Sequence, residues 1–101
     1  MDPFQPYTPR KVTAPPKVTA NDAEAIALQA IAYIAADEQL LSRFVALTGC
    51  GLDDVRARVT DKGFLGAVLD FVLGDEATVV AFAEHAGLRP EAPMLARAKL
   101  P

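Results

Sequence analysis

Along most of this chain, apolar side chains recur three and four residues apart, in blocks divided by glycines and acidic residues. That spacing puts them on one face of a helix. The first block carries Ile26, Ala27, Ala30, Ile31 and Ile34. Asn21, with Glu24 three residues on, forms a capping-box arrangement at its start. Asp37 is placed to begin a second helix with Leu40, Leu41, Phe44, Val45 and Leu47 on its inner face. Gly49-Cys50-Gly51 ends that helix, glycine being the usual residue for the left-handed position past a helix terminus. Asp53 is expected to cap a short third helix bearing Val55 and Val59, and Asp61 a fourth. Residues 64–73 are apolar nearly all the way round, so this fourth helix is expected at the centre, buried on most sides. Gly74 stops it, and Asp75 opens a fifth with Val79, Val80, Phe82, Ala83 and Ala86 as its stripe. After Gly87, Pro90 fits the first turn of a sixth helix carrying Met94, Leu95 and Ala98.

Upstream of these blocks the pattern changes. Five of the eight prolines fall in the first sixteen residues, and proline removes a backbone donor and excludes helical geometry from the residue before it. Residues 1–20 therefore read as a disordered Pro-rich tail, with Phe4 and Tyr7 as anchors of a short linear motif or as ring systems touching nothing specific. Residues 21–101 read as one helical domain. The fold class is all-α: a compact bundle of five to six short helices around the central apolar helix. The stretches Phe44 to Gly49 and Phe82 to Gly87 share their Phe-to-Gly spacing and are each followed by a short helix with Arg and Ala. Two such units fall short of a repeat array and suggest paired hairpins clasping the central helix.

Composition narrows the function. Of 101 residues, 51% are hydrophobic, much of this Ala, and there is no Trp, so the core must be mainly aliphatic. The first twenty residues carry a net +2 and the remainder −5; an acidic domain is repelled by phosphate backbones and anionic membranes. No run of about 20 apolar residues, as a membrane span requires, is present. With no signal-peptide pattern either, the expected location is cytoplasmic. Cys50 is the lone cysteine and His85 the lone histidine. They could meet near the ends of the two echoed hairpins, but without an orienting third group a nucleophile–base pair is the weaker reading, and His85 suits a helix C-terminus. The pairs Asp53-Asp54 and Asp75-Glu76 lack the alternating ligands of a calcium loop and fit helix starts. Asp70, on the apolar fourth helix, should face solvent or pair with Arg43 or Arg56.

Three pieces resemble a known family: the Ala-Leu-Gln stretch around Gln29, the Phe-Val-Ala-Leu-Thr-Gly stretch around Leu47, and the Val-Leu-Asp-Phe-Val-Leu-x-Asp-Glu block over residues 68–76. They are similar to a bacterial domain-of-unknown-function family, number three-five-seven-two, of small helical proteins. The Gly49-Cys50-Gly51 turn is a residue or so longer than the family's. The resemblance implies a helical fold and an intracellular setting and brings no activity. The expected function is a non-enzymatic protein-interaction module, self-associating or binding another protein, with Tyr33, Phe71 and the outer side of the first helix as interface candidates. No catalytic residues, cofactor, metal or membrane contact are expected. The alternative is a nucleic-acid-associated regulator using the last, helix-turn-helix-like hairpin, where Arg89, Arg97 and Lys99 supply the positive charge.

Overall fold

The computed structural model describes residues 18–101. Within them six helices succeed one another with no strand: α1 Ala20–Ala35, α2 Glu38–Thr48, α3 Leu52–Arg58, α4 Lys62–Leu73, α5 Glu76–Ala86 and α6 Ala92–Arg97. The all-α expectation holds. The prolines before Val18, with Phe4 and Tyr7, lie outside the described residues.

Local capping sets most of the boundaries. Asp37 and Asp61 behave as expected, each accepting two backbone N–H bonds from the turn it opens, at 2.9 and 3.2 Å and at 2.9 and 3.3 Å. Gly49 and Gly87 both adopt the left-handed conformation, with φ of 74° and 71°, where any other residue would be strained. α1, however, starts earlier than the Asn21–Glu24 reading predicts. Thr19 is its N-cap: the Thr19 hydroxyl accepts from the Asp22 N–H and the Asp22 carboxylate accepts from the Thr19 N–H, both at 3.1 Å. Thr-x-x-Asp and Asn-x-x-Glu have equal spacing, and packing selects between them. The Thr19 cap leaves Val18, just before it, packed against the core. Glu24 is freed to face Lys62 at 3.5 Å. α3 is likewise capped one step away from the expectation. It opens at Gly51, whose N–H is taken by Asp54 at 3.1 Å, while Asp53 stands in solvent.

The core is built where large and small side chains meet. α4 buries Phe64, Leu65, Val68, Leu69 and Val72, and α1 presents Ala23, Ala27 and Ala30, all fully buried. α6 adds Ala92 and Ala96. α1, α4 and α6 pack on one another, α2 leans on α1, and α5 leans on α4. The expected pair of clasping hairpins is thus replaced by a three-helix centre. The Phe-to-Gly echo survives as geometry, since Phe44 and Phe82 are both buried, but the helices that follow differ: α6 joins the core while α3 packs lightly.

Two expected inner faces turn. On α2, Leu40 and Phe44 are buried, but Val45 is 38% and Leu47 73% exposed, because both lie to the sides of the face that Leu40 and Phe44 share. In α6 the first-turn proline is Pro93, not Pro90. Starting the helix later rotates Ala92, Pro93 and Ala96 inward and leaves Met94 and Ala98 outside. Replacing Thr19 by Ala should cost about 1 kcal/mol of unfolding free energy in urea titration, whereas Asn21→Ala should cost close to nothing.

Candidate interaction surface

The second half of α1, the side of α2 and the Leu52–Val55 face of α3 enclose an apolar crevice. Its position follows from how α3 is pinned. Gly49 reverses the chain after α2, and the Thr48 hydroxyl donates to the Phe44 carbonyl at 2.7 Å while accepting from the Cys50 N–H at 3.1 Å. Buried Cys50 sits 3.7 Å from the Arg58 guanidinium, which reaches over the Phe64 ring at 6.0 Å. With both ends of α3 held this way, Val55 drops into the core and Leu52 stays at the lip, 43% exposed. Ile31, Ile34 and Ala35 of α1 and Leu41 and Phe44 of α2 complete a narrow crevice, about 10 Å³ in volume, lined by apolar side chains alone.

Exposed apolar side chains stand one turn away from its lining on two helices. Leu28 lies one turn before Ile31 on α1 and is 45% exposed; Val45 lies one turn after Leu41 on α2. Leu28, Ile31 and Ala35 form a second apolar stripe beside the buried stripe of Ala23, Ile26, Ala27, Ala30 and Ile34. Asp53 and Arg56, almost wholly exposed and 3.7 Å apart, stand on the same short helix as Leu52.

The expected interface aromatics are only half free. Tyr33 is half-buried and spends its ring on Phe82 (centroids 5.6 Å apart) and His85 (5.2 Å). Phe71 meets Phe44 edge-on at 5.3 Å under the Arg43 guanidinium. Leu28, Leu52 and Val45 carry the open surface instead. Leu28 could have been found from the second stripe, which keeps helical spacing; Leu52 follows a glycine on a two-turn helix and has no such pattern around it.

The remaining candidate groups resolve separately. Cys50 engages Thr48 and Arg58, and His85 engages Tyr33; the two share no neighbour among these contacts. Among the described residues no group of three or more His, Cys, Asp or Glu is placed to hold a metal ion, and no helix is long and apolar enough to cross a membrane. Asp70 pairs with neither Arg43 nor Arg56. Its partner is Arg97, whose Nε donates to Oδ1 at 2.7 Å, and that bond raises the Arg97 pKa further. Arg43 faces Asp75 and Arg56 faces Asp53. Arg97 also donates to the carbonyls of Leu100 and Pro101, both at 3.1 Å. In the last hairpin, Arg89 stands 4.0 Å from Glu91, and Lys99 is exposed.

Residues 20–101 match a family whose description reads "Protein of unknown function (DUF3572)". The resemblance carried by the residue 68–76 block is thereby met. No curated protein and no solved structure matches the chain.

Two outcomes test the polar frame. Arg97→Ala should cost about 1–2 kcal/mol in urea unfolding because three hydrogen bonds go with it, and Asp70→Asn under about 1 kcal/mol, since that ion pair is half exposed. The Thr78 hydroxyl first, then Arg43, hold the Asp75 carboxyl below its ordinary value of 3.8. A lowered folded-state pKa gives stability that is full above the unfolded value and is lost as pH falls through the folded one. The urea midpoint of the wild type should therefore fall more steeply than that of Asp75→Asn from about pH 4 downward.

Proposed function

We propose a non-enzymatic role for this chain, which belongs to the DUF3572 family of unknown function: it is a small helical protein-interaction module that associates with a second copy of itself. The observation that carries this reading is the wholly apolar crevice with Leu52 at its lip and Leu28 and Val45 on the flanking turns. Scattered exposed apolar residues need no explanation, but exposed apolar side chains on three successive helices, one of them at the lip of an apolar crevice, favour an interaction surface.

The charges on that face favour self-pairing. In a two-fold contact the same patch meets itself, so residue i of one copy touches residue j of the other and the reverse. Asp53 and Arg56, opposite in sign and one turn apart beside Leu52, can each meet the other's counterpart across such an axis. Burying the leucines and pairing the rim would satisfy apolar and polar groups together. A cytoplasmic setting fits this role.

The alternative, nucleic-acid regulation through the last hairpin, rests on exposed Arg89 and Lys99. It is the poorer of the two because α6 spans six residues and Arg97, which a reading helix would turn outward, is bonded to Asp70 and two carbonyls. A gel shift on random DNA with no salt-sensitive binding removes it.

Light scattering at increasing concentration should show the wild type approaching twice the monomer mass, and Leu52→Glu should remain monomeric with unchanged helical circular dichroism. A wild type that stays monomeric at high concentration overturns the self-association.

A further inference from the structure

α3 is the helix that the rest of the molecule holds least. Each of the other helices packs closely on at least one neighbour, whereas α3 makes only sparse contact with any of them. It sends one side chain, Val55, into the core, with Val59 half-buried after it and Leu52 at the crevice lip. Few buried apolar contacts and thin local packing let a segment open at a lower free energy than the whole domain.

We infer that α3 is a flap: it swings off the core as one unit while the other helices stay folded, and in doing so takes apart the surface around Leu52.

The flap's own bonds travel with it. The Gly51 N–H donates to the Asp54 carboxylate at 3.1 Å, the Val55 N–H donates to the Gly51 carbonyl at 3.0 Å, and Asp53 faces Arg56 at 3.7 Å. All three lie within residues 51–56, so none is broken when the segment leaves.

The flanking helices are closed off separately. The Gly49 N–H donates to the Val45 carbonyl at 2.8 Å and ends α2, while Asp61 caps α4 through two backbone N–H groups. The joints therefore fall outside both helices, at Gly49–Gly51 on one side and Val59–Thr60 on the other. A Cβ on Gly49 or Gly51 would meet nothing within 4 Å, so the backbone there has room to turn.

What keeps the flap shut is narrow. Apart from Val55, the latch is Arg58, whose guanidinium stands 6.0 Å from the Phe64 ring centroid on α4 and 3.7 Å from Cys50 Sγ. Cys50, in the joint beside that guanidinium, is buried, and its thiol becomes reachable when Arg58 and the joint move.

Leu52, Asp53 and Arg56 all ride on the flap. The consequence for association rests on the self-pairing proposed above: a second copy covering Leu52 holds the flap shut, and an open flap has no surface to pair. The opening itself is a property of one chain.

The experiment is labelling of Cys50 by a disulfide thiol reagent in the full chain, from zero urea to the onset of unfolding. The chain is kept dilute enough for light scattering to read a monomer. At zero urea, labelling should run at least about a hundredfold faster than global unfolding permits, because a flap opens more often than the domain. Its rate should also depend only weakly on urea, since little surface is exposed by the opening. Amides of residues 55–58 should exchange faster than those of Val68 and Leu69, and Arg58→Ala should speed labelling several-fold with unchanged helical circular dichroism. Labelling that follows global unfolding at every urea concentration overturns the flap, as does labelling as fast as that of an unfolded peptide thiol. Fast labelling with amides of residues 55–58 as protected as those of α4 also overturns it, because the joint alone would then be moving. Raising the concentration tests the coupling separately. Labelling should slow as the mass doubles; a dimer that labels at the monomer's rate overturns the coupling, whereas a chain that never dimerises overturns self-association and leaves the flap standing.

Discussion

The fit between the large face of α4 and the alanines of α1 and α6 is the contact on which the rest of the fold depends. Val68, Leu69 and Val72 are fully out of water, as are Ala23, Ala27, Ala30 and Ala96 opposite them. Small residues on two helices let the third insert bulky side chains between them, filling the space without voids. Gly66 extends the same logic to the end of the chain. A Cβ there would lie 2.9 Å from the Pro101 carbonyl oxygen and 3.0 Å from Arg97 Nη1. The glycine therefore admits the segment that Arg97 then holds, and Asp70, which seemed a polar intrusion on an apolar helix, is what orients Arg97.

Concentrating the core on three helices leaves the other three under-covered. A domain this small buries a modest share of its surface. α2 buries only Leu40 and Phe44 and leaves Leu47 exposed, and α3 carries one buried residue, Val55. The apolar crevice beside Leu52 follows from that economy, and it is why association is the proposed role.

Most charged pairs are peripheral. Lys62 with Glu24, Arg56 with Asp53 and Arg89 with Glu91 lie at 3.5 to 4.0 Å with substantial exposure, geometry that adds little to stability. Arg97 is the exception because its bonds tie α6 and the last residues to α4. Acids elsewhere act chiefly on the backbone, as caps at Asp37 and Asp61 and as the partner of the opening N–H groups at Asp22 and Asp54. The acidic balance of the domain is in part a capping requirement.

Residue spacing alone determined six helical segments, the central place of the apolar one, the left-handed glycines at Gly49 and Gly87, and the capping at Asp37 and Asp61. Each follows from interactions within a few residues of the chain. Family membership was also legible, from the block over residues 68–76. Where two local solutions were equally good, only tertiary contact decided. Thr19 prevailed over Asn21 because it seats Val18, and Gly51 over Asp53 at the start of α3. Asp70 chose Arg97, twenty-seven residues on, over two arginines that spacing made equally eligible. The exposure of Val45 and Leu52 was likewise invisible, since exposure depends on which helix faces cover one another. Periodicity gives the face of each helix, but burial is a property of pairs, and the sequence does not state the pairing.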